Sequence, residues 1–181
     1  PARCFLGIQP GHRHFRDIEE GRQIHEVKGV VIYRFSSNLF FANVSVLQKD
    51  IENSLKADTK AVIIDASGVG SIDITAADRL VILQKSLEEK GIRFYITEHI
   101  ADLNEQMRKL GIGYLVEAGC ARRTIHIALK DMGINRPYPL EGGVDNEEIS
   151  GSRKRADNRV QEFVWAFGKH TEKEIEKQIV N

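Results

Sequence analysis

The sequence predicts an α/β fold whose core is a mixed, mostly parallel β-sheet flanked by about four helices. Three short segments at residues 27–35, 60–66 and 92–97 are rich in β-branched, aliphatic and aromatic residues, which is typical of buried strands. Between and after them, apolar residues recur every three or four positions, as they do on one face of a helix. Strands that alternate with helices in this way indicate a sandwich with a parallel core sheet.

The N-terminal part of the chain predicts an antiparallel or mixed edge to that sheet. Residues 3–8 have strand composition, and Pro10-Gly11 ends this first strand. A polar segment follows to about Gly21, and the next strand lies within residues 24–35, so no helix separates the two strands. Lys28-Gly29 is a candidate turn or bulge at the start of the second strand.

Four helical faces follow from the spacing of the larger side chains, and each of the last three ends at a glycine. Asn38 and Asn43 are both candidates for the N-cap of the first helix. The segment "YLVE", residues 114–117, is a candidate fourth core strand. The faces consist of Val44, Leu47, Ile51 and Leu55; Ile74, Ala77, Leu80, Val81, Gln84 and Leu87; Leu103, Met107 and Leu110; and Ile125, Ala128, Leu129 and Met132.

The change in composition after Gly133 predicts three regions in the chain. Residues 1–134 form one domain, residues 135–159 form a polar linker, and residues 160–181 form a helical extension. The linker carries prolines, an acidic stretch and a basic run but has no periodic apolar face. The extension begins with apolar residues at helical spacing, which indicates a packing face.

Composition excludes several classes of function. The 26 basic and 26 acidic side chains cancel, so the basic face that nucleic-acid binding requires is not indicated. No apolar run approaches the roughly 20 residues of a membrane-spanning helix. Cys4 and Cys120 are far apart, which predicts free thiols in a reducing compartment and no zinc site. His12 and His14 are the best candidates for a pair of metal-binding residues, but a polar turn explains them better.

One motif, "VIIDASGVGSIDITAAD" at residues 62–78, joins a buried strand to a helix through a turn of small residues. A helix N-terminus offers free peptide N–H groups to an anion, and glycines allow a close approach. The candidate anion or nucleotide loop consists of Asp65, Ser67, Gly68, Gly70 and Ser71. However, no lysine lies between Lys60 and Lys85, so the lysine with which a P-loop binds phosphate is missing. An ordinary strand-to-helix turn is the competing interpretation.

Catalysis is not predicted. Glu98 and His99 follow a core strand, where α/β proteins often place ligands, but no nucleophile, base and orienting group occur in a recognisable order. Ser67 lacks the Gly-x-Ser-x-Gly elbow of a hydrolase. The chain is therefore interpreted as a non-enzyme without a required cofactor, a nucleotide at the loop being the one candidate ligand.

The order of three motifs, two of them not yet described, resembles the STAS domain at the cytoplasmic C-terminus of SulP anion transporters. These motifs are "FRDIE" at residues 15–19, "LFFAN" at residues 39–43, and the loop from Asp65 to Thr75. The resemblance covers about Arg3 to Gly133 and implies a STAS-type fold. It also implies a regulatory or assembly domain on the cytoplasmic face of the cell membrane, in a bacterial transporter of sulfate, bicarbonate or a related anion.

The resemblance implies partners and a modification site as well. The partners are the membrane domain of the same transporter, a second copy in a homodimer, or a regulatory protein. Free-standing STAS proteins that antagonise anti-sigma factors are phosphorylated at a hydroxyl two residues after an Asp, and Asp73-Ile74-Thr75 has that spacing. Ala76 stands where those proteins usually have glycine. Two interpretations of this segment stay open, a phospho-switch at Thr75 and a simple helix start capped by Asp73. The alternative function for the whole chain is that of a free-standing, antagonist-like phospho-switch.

Overall fold

The structure, a computed structural model, describes residues 2–135 and 137. The predicted helical extension and all of the predicted linker except residues 135 and 137 lie outside the described residues. Within them lies one five-stranded sheet in the order β2-β1-β3-β4-β5. The strands are β1 (Arg3–Ile8), β2 (Phe15–Asp17), β3 (Val30–Phe35), β4 (Ala61–Asp65) and β5 (Arg93–Thr97).

The pairing of these strands confirms the predicted mixed sheet. Strands β3, β4 and β5 are parallel, and the register places Arg34 beside Asp65 and Asp65 beside Thr97. Strand β1 is antiparallel to both β3 and β2, which is the edge that the N-terminal sequence predicted. All five residues of β4 are buried, since this inner strand has a strand on either side and a covered face above and below.

All four predicted helices are present, together with a short one. They are α1 (Val44–Ser54), α2 (Ile74–Glu89), α3 (Ala101–Lys109) and α5 (Ile125–Asp131), and the short helix is α4 (Tyr114–Glu117). Helices α1 to α4 contribute to the apolar cluster on one face of the sheet. Helix α5 contributes to the cluster on the other face. No helix of the described residues is long and apolar enough to cross a membrane.

Residues 114–117 are the clearest error of the sequence interpretation, because they form α4 and not a strand. The carbonyl groups of Gly113 and Tyr114 accept helical hydrogen bonds from Glu117 and Ala118. Only Leu115 of the four is fully buried. A four-residue apolar run has too few positions to separate a helical period from a buried strand. The residue that pairs with β5 at this edge is Ala121, through an isolated bridge to Ile96.

Three smaller differences concern the ends of elements. The polar segment before Gly21 contains strand β2 and a 3₁₀ turn at Ile18–Glu20, in which Asp17 accepts a hydrogen bond from the Glu19 amide. Strand β3 begins at Val30 because Lys28 and Gly29 form a turn, with Gly29 at a φ of 76°. Ile74 does not belong to the buried face of α2, since 62% of its surface is exposed.

Candidate functional site

The candidate site lies where two loops leave neighbouring parallel strands at the same edge of the sheet. We call residues 36–43, between β3 and α1, the aromatic loop, and residues 66–73, between β4 and α2, the signature loop. A parallel bridge joins Leu39 to Ile72. The Leu39 amide donates to the Ser71 carbonyl (2.9 Å), and the Asp73 amide donates to the Leu39 carbonyl (3.0 Å). The two loops therefore form a small extension of the sheet.

Asp65 fixes the point at which the signature loop leaves β4. Its side chain is 1% exposed, and its Oδ2 accepts a hydrogen bond from Nε of Arg34 at 2.8 Å. Its Oδ1 accepts from the Ser67 amide at 2.9 Å. A buried carboxylate needs such partners, because an unpaired charge in the interior is costly. Both oxygens of Asp65 thus bind protein groups that shape the turn.

Gly68 and Gly70 are explained by the packing of the two loops. A Cβ added at Gly68 would lie 2.5 Å from Cα of Ser36, which no real Cβ tolerates. A Cβ at Gly70 would lie 3.1 Å from Oδ1 of Asn38. Neither glycine has a positive φ, so close approach and not backbone conformation requires them. The neighbour that comes close is the aromatic loop.

Most peptide N–H groups of the signature loop already donate to protein acceptors. Asn38 Oδ1 accepts from Gly70 and Ser71, both at 3.0 Å. Gln106 Oε1 accepts from Ile72 at 3.1 Å, and its Nε2 donates to the Gly70 carbonyl at 3.1 Å. A phosphate held by this loop would have to displace Asn38 or Gln106. Nucleotide binding at Asp65, Ser67, Gly68, Gly70 and Ser71 stays a prediction.

Asp73 is the N-cap of α2 and also contacts the aromatic loop. Its Oδ1 accepts from the Ala76 amide at 2.8 Å, as in a standard N-cap. Its Oδ2 accepts from the Phe41 amide at 3.0 Å. Thr75 is the second residue of the helix, and its side chain is exposed. The candidate phosphorylation site therefore lies at the surface, two residues from a carboxylate that links both loops.

Neither candidate asparagine caps α1 with its side chain. Asn43 occupies the N-cap position, but its Oδ1 accepts from the Phe40 amide at 3.0 Å and its Nδ2 donates to the Asn38 carbonyl. Asn38 is used instead for the signature loop, as described above. The two side chains stabilise the aromatic loop and the signature loop, and α1 therefore begins without a side-chain cap.

An exposed apolar surface flanks Asp73, and the sequence did not reveal it. Phe40, Phe41 and Ile74 are 40%, 69% and 62% exposed, and we call them the apolar patch. The rings of Phe40 and Phe41 meet edge to face with centroids 6.1 Å apart. Large apolar side chains that cluster at a surface often mark a protein contact. The sequence marks "LFFAN" as a motif, but nothing in its letters shows that both aromatic residues are exposed.

The other chemistry-bearing residues do not converge on this site. Glu98 has a φ of 57° and its Oε1 accepts from the Ile125 amide, so it anchors the start of α5. Burial lowers the pKa of His99, whose Nδ1 lacks a hydrogen-bond partner. His12 and His14 are exposed, and residues 2–135 and 137 contain no group of three or more ligand side chains that could hold a metal.

Both cysteines are free, as predicted. Burial is the main cause that raises the pKa of Cys4, and the nearby Asp17 carboxylate adds to it. Burial likewise raises the pKa of Cys120. A raised pKa keeps a thiol protonated and unreactive at neutral pH, which argues against a nucleophilic role for either residue.

Comparison with known families identifies one match that spans more than half of the chain. The model of the STAS domain family matches residues 22–126. Probable sulfate transporter 3.5 of Arabidopsis thaliana is 32% identical over 120 residues, which are 65% of this chain and 18% of that protein. The chain spans about a fifth of the length of the curated relatives it matches.

Solved structures agree on the fold. The murine Slc26a9 anion transporter, in its inward-facing state, superimposes with a TM-score of 0.66 and 20% identity, over 74% of this chain and 22% of the transporter. A putative anti-sigma factor antagonist from Thermotoga maritima superimposes with a TM-score of 0.51 and 23% identity, over 59% of this chain and 90% of that protein. At these identities the likeness establishes the architecture of the chain and nothing finer.

Proposed function

Because the chain belongs to the STAS domain family, we propose that it is the cytoplasmic regulatory and assembly domain of a SulP-type anion transporter. The observation that carries this proposal is that the matched relatives include named sulfate transporters, in which the matched region is only about a fifth of the length. Sulfate, bicarbonate or a related anion is the proposed cargo, and the transport path lies in the membrane part. The domain itself acts without catalysis, through protein contacts.

The apolar patch of Phe40, Phe41 and Ile74 is the proposed contact with the membrane domain of the same polypeptide. That partner is favoured because the relatives carry about four fifths of their length outside the matched region. The patch contains no charged side chain, so it suits an apolar partner surface such as the end of a helix bundle. A second copy of the domain, or a separate regulatory protein, is the competing occupant.

Thr75 is the proposed regulatory position. Its side chain is exposed beside Ile74 of the patch. A phosphate there would add a charge of about −1.5 to −2. The start of α2 attracts an anion through its macrodipole, whereas the Asp73 carboxylate repels it. Phosphorylation would therefore place a strongly hydrated charge next to an apolar contact and weaken that contact.

Anion uptake by the full-length transporter tests both proposals. Thr75→Glu and Phe41→Ser are each expected to change uptake at equal surface expression by at least about threefold. Lys85→Glu, at an exposed position on the same helix but away from its start, is the control for an introduced glutamate and should leave uptake unchanged. Uptake equal to wild type in both test variants would contradict a role for this surface. Mass spectrometry of the protein from cells shows whether Thr75 carries phosphate.

One observation favours a second candidate, a free-standing antagonist-like phospho-switch. The spacing of Asp73 and Thr75 is that of the antagonists, and an antagonist shares the fold. The reading frame of the parent protein separates the candidates, because ten or more apolar spans before residue 1 would exclude the free-standing switch. A nucleotide at the signature loop is also proposed as a ligand, and calorimetric titration with ATP or GTP tests it.

A further inference from the structure

The two oxygens of Asp73 hold two different parts of the molecule, and this suggests a conformational device. Oδ1 holds the first turn of α2 through the Ala76 amide, and Oδ2 holds the aromatic loop through the Phe41 amide. We propose that Asp73 is a latch that fixes Phe41 at the start of α2, and that loss of the Oδ2 acceptor releases Phe41 without unfolding the helix or detaching the rest of the loop. This inference rests on the geometry of the two loops and not on the proposed transporter.

The aromatic loop is held firmly on either side of Phe41 but weakly at Phe41 itself. Upstream, Leu39 is bridged to Ile72 and is 4% exposed. Downstream, Asn43 accepts from the Phe40 amide, and Val44 is buried in the core. Phe41, by contrast, is 69% exposed, so packing contributes little to its position. The bond to Asp73 is therefore the contact best placed to fix Phe41.

Charge makes this contact sensitive to its surroundings. A hydrogen bond from a peptide N–H to a carboxylate is stronger than one to a neutral acceptor. Any change that neutralises Asp73, or that draws its carboxylate toward another donor, therefore weakens the bond that fixes Phe41. The helix is less sensitive, since α2 has 16 residues and buries Ala76, Ala77, Leu80, Leu83 and Leu87 in the core. Release of Phe41 would change the shape of the apolar patch while the fold persists.

The substitution Asp73→Asn separates the two roles. An asparagine is as good an N-cap as an aspartate, so its Oδ1 can still accept from Ala76. Its other atom is an NH2 group, which cannot accept from the Phe41 amide. Asp73→Ser is a second variant, because a serine hydroxyl caps a helix but has only one oxygen. Asp78→Asn, which removes an exposed charge one turn further along α2, is the matched control.

Amide hydrogen exchange of the 181-residue chain, resolved by NMR, is the measurement. In Asp73→Asn and Asp73→Ser the Phe41 amide should exchange at least about tenfold faster, while the amides of α2 beyond its first turn change less than about twofold. Asp78→Asn should leave both unchanged. Unchanged exchange at Phe41 in either Asp73 variant would overturn the latch. Equal acceleration along α2 and the aromatic loop would also overturn it, as would fraying of the α2 start with Phe41 still protected.

Discussion

Substituting Gly68 by alanine tests whether the glycines of the signature loop serve the packing of two loops. The added Cβ would lie 2.5 Å from Cα and 2.8 Å from Cβ of Ser36, whereas ordinary contact begins at 3.4 Å. The shortfall at the nearest atom is 3.4 − 2.5 = 0.9 Å. The atom in the way belongs to the backbone, so no rotation of a side chain relieves the contact, and the loops must separate by nearly an ångström.

The energetic consequence follows from what holds these loops together. Overpacking of a well-packed region typically costs about 1–3 kcal/mol. Separation would also strain the Leu39–Ile72 bridge and the bonds from Gly70 and Ser71 to Asn38. We therefore expect the upper part of that range, a loss of about 2–3 kcal/mol in the free energy of unfolding.

Urea unfolding of the 181-residue chain, followed by circular dichroism, measures this loss. The urea concentration at the unfolding midpoint should fall, while the dependence of the unfolding free energy on urea concentration stays the same. This is because the substitution changes stability and not the surface exposed on unfolding. Gly21→Ala is the matched control, since Gly21 has an extended φ of −175° and its nearest atom is 3.9 Å from an added Cβ. A Gly68→Ala protein within about 0.5 kcal/mol of wild type would refute the packing argument.

Two further predictions concern Asp65, which ends β4, and the half-buried His99, which follows β5 at the same edge of the sheet. Asp65→Asn should lower the unfolding free energy by about 1–3 kcal/mol, because it removes a charged acceptor from Arg34; a double-mutant cycle with Arg34→Gln that shows no coupling would contradict this. Burial lowers the pKa of His99 below its ordinary value of 6.5, so folding favours the neutral ring. The folded-state stability that depends on a neutral His99 ring is fully present above about pH 6.5 and is lost as the pH falls below that value. His99→Gln should therefore reduce the loss of stability between pH 7 and pH 5, and urea midpoints at both pH values check it.

The core of the fold was predictable because its signals are local. Strand β4 is a continuous apolar run with turn residues at both ends, and α2 repeats its apolar residues over four turns. Strand β2 has only three residues. Its one strand-like feature is that Phe15 and Asp17, two positions apart, are both buried. Helix α4 is a single turn in which position 115 alone is fully buried. The conformation of elements this short depends on the residues that they pack against in the fold. Those contacts cannot be read from the sequence.

The candidate site shows the same limit in its hydrogen bonds. That Asp73 caps α2 could be predicted, because a cap joins residues three positions apart. Its second bond reaches Phe41, 32 positions away, and the Asn38 side chain reaches Ser71 across 33 positions. These bonds exist because β3 and β4 are parallel neighbours whose loops leave the sheet at one edge. The small residues between Asp65 and Asp73 are therefore explained less by a ligand than by the loop that lies against them.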